Sequence, residues 1–125
     1  MADVKEKAMA LLSSTTVALN ATGQTTLYTV PVGKRCVPLS MVIVAGADAG
    51  ASVVTAGQVG ALTDFLPANT LGNLDAQYDA VILQPIPNTT PLKGKSYAAG
   101  TVIQIDVTTG SGGATNSVLL YGFLY

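Results

Sequence analysis

The residues of this chain that could do chemistry are seven carboxylates and one cysteine, and no histidine accompanies them. The carboxylates are Asp3, Glu6, Asp48, Asp64, Asp75, Asp79 and Asp106. Asp75 and Asp79 lie near each other in sequence, and two carboxylates can serve as the acid and base of a glycoside hydrolase. With a loop carbonyl, the same pair could bind calcium. No regular D-x-D spacing surrounds them, so we expect turn and surface residues instead.

Cys36 is the only cysteine, so the chain can form no internal disulfide. It lies in the apolar run 36–39. A nucleophilic cysteine is usually activated by a neighbouring histidine, and the sequence contains no histidine. We therefore expect a small buried hydrophobic residue. The glycine-rich stretches 57–60 and 110–113 match neither a phosphate-binding loop nor a dinucleotide fingerprint. The sequence predicts no catalytic site, no cofactor and no metal.

The composition points to a surface that is covered rather than highly solvated. Charged residues make up 10% of the 125 residues, against roughly 25% in an ordinary soluble domain. Apolar residues make up 49%, and the net charge is −1. Nucleic-acid binding is disfavoured because it needs a basic surface, and no apolar run approaches the ~18 residues of a membrane span. Large exposed apolar areas usually mark interaction sites.

Most of the chain has the residue pattern of β-strands. Thr, Val, Ile, Leu and Tyr dominate after residue 15, and Gly, Asn, Pro and Asp interrupt them. Strands are predicted at 16–21, 25–30, 35–45, 51–55, 78–84, 101–107 and 118–125, with a further one within the irregular stretch 56–77. Pro38 predicts an edge, a bulge or a change of sheet. About eight antiparallel strands with no β-α-β alternation predict a single β-sandwich or jelly roll.

The N-terminal segment differs from the rest. Asp3 and Glu6 are spaced like a helix capping box, and helix-forming residues follow. We expect a short N-terminal helix or arm over residues 1–14 and a β-sandwich domain over residues 15–125.

The last predicted strand is apolar on both faces. Leu119, Tyr121, Phe123 and Tyr125 alternate with a second apolar set, Val118, Leu120 and Leu124. The stretch 37–45 has the same property. A sandwich strand needs one apolar face for the core, so the second face calls for another covering surface. We expect self-association through one face, with the set that begins at Leu119 as its candidate residues. The sequence leaves open which face that is.

Two motifs carry a resemblance to a known group of proteins. The segment TLYTVPVGK at 26–34 resembles the TLYTVPxGK opening of small tailed-phage virion proteins. The segment YAAGTVIQI at 97–105 is similar to the L/Y-x-A-G-D-x-I step before a late jelly-roll strand, with Thr101 at the position of the usual aspartate. The terminal segment 118–125 resembles their closing strand. The resemblance covers residues 25–125, and the N-terminal arm lies outside it.

This resemblance implies a virion structural protein and no enzyme. The function expected is a capsid decoration or head-associated protein that assembles with itself, with a trimer favoured, and docks on a major capsid or tail protein. Its location would be the virion, assembled in the host cytoplasm, with no nucleic acid or membrane as partner. The alternative is a receptor- or carbohydrate-binding module of a tail or fibre. Exposed members of the five tyrosines would then form a platform for a surface glycan.

Overall fold

The computed structural model describes residues 9–85 and 94–125, and every helix or strand assigned in those ranges is a β-strand. The strands are β1 Ala10–Val17, β2 Gly23–Thr29, β3 Cys36–Val44, β4 Val53–Gln58, β5 Ala61–Thr70, β6 Ala80–Leu83, β7 Val102–Thr109 and β8 Asn116–Leu124. All of their pairings are antiparallel. The all-β fold class predicted from the sequence is confirmed.

The strands form two four-stranded sheets. The first sheet has the order β1-β8-β3-β6, and the second has the order β2-β7-β4-β5. Except for the β4–β5 hairpin, each connection carries the chain from one sheet to the other. This is the strand order of a jelly roll, in which two sheets pack face to face over one core.

Alternation along the strands builds the core between the sheets. In β7, Ile103, Ile105 and Val107 are buried and alternate with less buried residues, as the sequence predicted. In β3, which belongs to the other sheet, Met41 and Ile43 are fully buried and pack into the same core. Successive side chains of a strand point to opposite faces, so each of these strands directs a second set of side chains outward.

A buried asparagine fastens the loops at one end of the sandwich. The amide nitrogen of Asn116 donates to the carbonyl oxygens of Val17 at 2.9 Å and Gly113 at 2.7 Å. Its carbonyl oxygen accepts a hydrogen bond from the backbone nitrogen of Gly46 at 3.0 Å. This one side chain thus links the end of β1, the loop before β8 and the loop after β3. Its polar atoms are buried, and these hydrogen bonds satisfy them in place of water.

The start of the β structure requires a correction. The sequence analysis assigned residues 1–14 to the arm and began the first strand at 16, but β1 extends over Ala10–Val17. Pairing with β8 from Ala10 onward explains the difference, because that partner is distant in sequence and overrides the local preference for helix. Residues 1–8, which carry the rest of the predicted arm, lie outside the described residues. The division into arm and domain stays a prediction there.

Two irregular features of the sequence have clear structural outcomes. Pro38 lies in β3, which is a central strand, and the register with β8 shifts between Pro38 and Ser40. Of the three alternatives for this proline, the bulge is the one observed. The stretch 56–77, which looked irregular, contains the ten-residue strand β5. Register shifts in its pairing with β4 account for the weak alternation in the sequence.

Candidate functional site

The outer face of the first sheet is the candidate functional site, and β8 lies near its middle. Val118 and Leu120 are 0% exposed and belong to the core. Leu119, Tyr121 and Phe123 therefore project outward, where they are half-buried by their neighbours. The structure thus resolves which face of β8 fills the core and which is available to a partner.

Neighbouring strands extend this surface on both sides. Tyr121 pairs with Leu11 of β1, and Leu119 pairs with Val42 of β3, which in turn pairs with Ile82 of β6. Directly paired residues share one face of a sheet, so these side chains form one continuous surface. Its members, which we call the apolar face, are Leu11, Val42, Val44, Ile82, Leu119, Tyr121 and Phe123. At its borders Leu11 is 51% exposed and Ile82 is 68% exposed.

The apolar face contains no charge. None of the four strands of the first sheet includes an Asp, Glu, Lys or Arg. The outer face of the second sheet is different, since Gln24, Thr26, Gln104 and Asp106 meet there in direct pairs. The amide of Gln104 also donates to the hydroxyl of Thr26 at 3.2 Å. The outer face of the second sheet is therefore polar. The outer face of the first sheet is uncharged and largely apolar, and its polar members are Ser14, Thr16, Ser40 and Ser117.

Tyr125 lies beyond the end of β8 and is held at the border of the apolar face. Its backbone exchanges two hydrogen bonds with Arg35, at 2.8 and 3.0 Å. Its hydroxyl forms a hydrogen bond with the Ser96 hydroxyl at 2.9 Å, and Arg35 Nε donates to the same Ser96 oxygen at 3.0 Å. The hydrogen bond with Ser96, assisted by Arg35, lowers the pKa of Tyr125. The ring lies 6.0 Å from that of Phe123, so it continues the surface of β8.

Asp75 and Asp79, the carboxylates considered for catalysis or calcium binding, lie in a loop. Asp79 Oδ2 accepts a hydrogen bond from the backbone nitrogen of Ala76 at 3.1 Å, which closes the loop that contains both Asp75 and Asp79. Over residues 9–85 and 94–125, no group of three or more His, Cys, Asp or Glu is placed to hold a metal ion. That part of the chain also contains no helix long and apolar enough to cross a membrane.

Cys36 should react with thiol reagents only after the protein unfolds. The residue is 0% exposed, and burial raises the pKa of its thiol to about 11. An ordinary cysteine has a pKa of roughly 8.5, so the reactive thiolate is about a hundredfold scarcer at neutral pH. Labelling with a chromogenic disulfide, with and without denaturant, measures this difference. Labelling of the native protein at the rate of the unfolded chain would show that Cys36 is accessible.

A partly buried polar cluster, which the sequence analysis did not predict, supports the segment next to Cys36. Tyr97 exchanges backbone hydrogen bonds of 2.8 and 2.9 Å with Cys36, and its hydroxyl donates to Asp64 Oδ1. Burial, then this hydrogen bond, raises the pKa of Tyr97 well above its usual range. Asp64 also accepts from the backbone nitrogen of Gln58 at 3.1 Å and from its Nε2 at 2.7 Å. Lys95 Nζ lies 3.9 Å from Asp64 Oδ2.

An open cleft borders the apolar face at the edge formed by β6. It encloses about 530 Å³ and is lined by residues 70–73 and 80–83. Leu71, Val81 and Leu83 give it an apolar floor, and Thr70 and Asn73 are exposed polar residues at its rim. No residue of the lining is charged.

Comparison with known proteins gives a likeness in fold. No protein-family model matches the chain, and no curated protein sequence matches it either. Among solved structures, the fold is similar to that of a chain in the cyanophage Pam1 capsid asymmetric unit, with a TM-score of 0.55 and 16% sequence identity. The alignment covers 92% of this chain and 84% of that chain. The likeness therefore extends over nearly the whole jelly roll.

Proposed function

We propose that this protein is a non-enzymatic structural component of a virion. The observation that carries the proposal is the likeness in fold, over 92% of the chain, to a chain from a phage capsid. The phage-like motifs at 26–34 and 97–105 support the same conclusion independently. A structural protein needs a rigid scaffold and complementary surfaces rather than reactive groups. The burial of Cys36 and the use of Asp79 to close a turn agree with that requirement.

The more specific proposal is a capsid decoration or head-associated protein. It assembles with copies of itself, with a trimer as the favoured state, and docks on a major capsid or tail protein. The apolar face supports self-assembly, because an uncharged surface of this kind is typical of a contact with another protein. Leu119, Tyr121, Phe123 and Tyr125 are the proposed self-association residues. The location proposed is the virion, with assembly in the host cytoplasm.

Analysis of purified particles tests this function. The 12.6 kDa chain should be present in virions from the same genome, and a cryo-EM map should show its jelly roll in the head shell or on its outer surface. Its copy number should be a multiple of three if it docks as a trimer. Absence of the chain from purified particles would contradict a virion role. Density in the tail would retain the virion role and overturn the capsid location.

One observation favours the alternative of a glycan- or receptor-binding module. Tyr78 is 79% exposed and has a φ of 72°, a left-handed backbone conformation that non-glycine residues seldom adopt. The backbone nitrogen of Tyr78 donates to the carbonyl oxygen of Ala45 at 2.9 Å, which anchors the backbone at this position. Binding on a glycan array that is lost in Tyr78→Ala would support this alternative. No binding by the wild-type assembly would leave decoration as the preferred function.

A further inference from the structure

The apolar face and the cleft at β6 are two different surfaces on one subunit, and each lacks a described partner. The apolar face is the broad outer surface of a twisted sheet, whereas the cleft is a notch along its edge. Ile82 belongs to both, since it lies on the outer face of β6 and also lines the cleft. Two adjoining but dissimilar surfaces are what a ring of identical subunits requires, because each contact joins one surface to the other.

We infer that three copies close into such a ring, in which the apolar face of each subunit packs against the β6 edge and cleft of the next. This inference rests on the self-assembly proposed above and names its contact. Face-to-face packing of two apolar faces would use a single surface and would stop at two copies. It would also leave the cleft and the edge of β6 without a partner.

The edge of β6 is a favourable site for a contact. Among the described strands, β6 pairs with β3 alone, so its other edge has no strand partner within residues 9–85 and 94–125. Exposed edges are usually protected by charge, proline or a bulge. The four residues Ala80–Leu83 include no charge and no proline, and the register with β3 is unbroken. An edge without protection is consistent with coverage by a neighbouring subunit.

The chemistry of the two surfaces is complementary. Neither surface contains a charged side chain, so joining them desolvates no unpaired charge. Leu119 and Phe123 offer apolar groups for the floor of the cleft. Tyr121 offers a ring with a hydroxyl at its end, which suits a notch with an apolar floor and a polar rim. Polar groups at that rim, such as Asn73, supply hydrogen-bond partners.

The area of one contact lies near the lower limit for a specific interface. Strands β1, β3, β6 and β8 hold 8, 9, 4 and 9 residues, so at a rise near 3.3 Å per residue and a spacing near 4.8 Å they cover roughly 480 Å². Burying this face and a comparable area of the neighbour removes about 1,000 Å² per contact. Each subunit of a closed ring takes part in two such contacts, which strengthens the assembly beyond a single pair.

Three variants with matched double substitutions test the arrangement. The face variant is Leu119→Lys with Tyr121→Lys, and the cleft variant is Thr70→Lys with Asn73→Lys, so that the two altered surfaces repel each other. The control is Gln24→Lys with Thr29→Lys, both exposed on the outer face of the second sheet. Circular dichroism first establishes that each variant folds, and light scattering then gives its mass. We expect three chains for the wild type and the control, and at least a hundredfold weaker association for the other two.

A mixture of the face and cleft variants gives the sharpest result. One variant retains an intact cleft and the other an intact face, so together they should form a heterodimer but no larger ring. A wild-type dimer, or a trimer that the cleft variant leaves intact, would overturn the inference while self-assembly stands. A monomeric wild type at high concentration would overturn both, and the presence of the chain in virions would still test the virion role separately.

Discussion

Replacing Leu120 by aspartate should unfold the protein, whereas replacing Leu119 and Tyr121 together should leave it folded and separate its copies. The two changes lie on adjacent positions of the same strand but face opposite ways. Leu120 is 0% exposed between the two sheets, and Leu119 and Tyr121 are half-buried on the apolar face. The experiment therefore compares the core and the proposed interface with the same chemical change.

The expected loss at Leu120 is large because two costs act together. Removing a buried leucine side chain costs about 2–5 kcal/mol through lost packing and the cavity that remains. A carboxylate placed there has no described charge partner and is either desolvated or forced to accept a proton. The combined loss is comparable with the total stability of roughly 5–15 kcal/mol expected for a domain of this size. Circular dichroism should show the loss of the β spectrum at room temperature.

The paired variant should behave differently because its aspartates reach water when the copies separate. In the monomer we expect a change in melting temperature of only a few degrees, on the order of 1 kcal/mol. In the assembly the same charges would be desolvated without partners, so light scattering should give the mass of one chain. A folded Leu120→Asp variant with a melting temperature close to wild type would contradict the assignment of Leu120 to the core.

Alternating apolar residues made much of the fold predictable. The segment 101–107 alternates cleanly and forms β7, and the doubly apolar segment 118–125 forms β8. When both faces of a strand are apolar, as in β8, the sequence alone does not show which face points into the core. The structure resolves it through the pairing of β8 between β1 and β3, which buries Leu120 and turns Leu119 outward.

Contacts between distant segments limited the rest of the sequence prediction. Residues 10–14 were predicted as part of a short helix or arm, yet pairing with β8 makes them a strand. The apolar face combines Leu11, Leu119 and Ile82 from three separate parts of the chain. The sequence indicated its β8 and β3 portions, but not that β1 and β6 complete it. The hydrogen bond from Tyr97 to Asp64 also joins residues distant in sequence. Tyr97 lies in a recognised motif, but nothing in the sequence indicates its partner.

Among the charged residues within 9–85 and 94–125, Asp64 should be the one whose replacement destabilises the fold most. Its carboxylate accepts hydrogen bonds from the Tyr97 hydroxyl and from both the backbone nitrogen and the side-chain amide of Gln58. Tyr97 is only 2% exposed, so water cannot readily replace a lost partner there. The ion pair with Lys95 contributes much less, because Lys95 is largely exposed and its nitrogen is 3.9 Å away.

Replacing Asp64 by alanine should therefore lower the free energy of unfolding by about 2–4 kcal/mol, since several donors lose their acceptor at once. Asp64→Asn is the matched control. It retains an acceptor for Tyr97, and Gln58 can rotate its amide to accept from the new nitrogen, so the expected loss is about 1 kcal/mol. Asp75→Ala, at an exposed loop position, should change stability by less than about 0.5 kcal/mol. Urea denaturation measures all three, and equal losses for Asp64→Ala and Asp75→Ala would show that the partly buried polar cluster does not stabilise the fold.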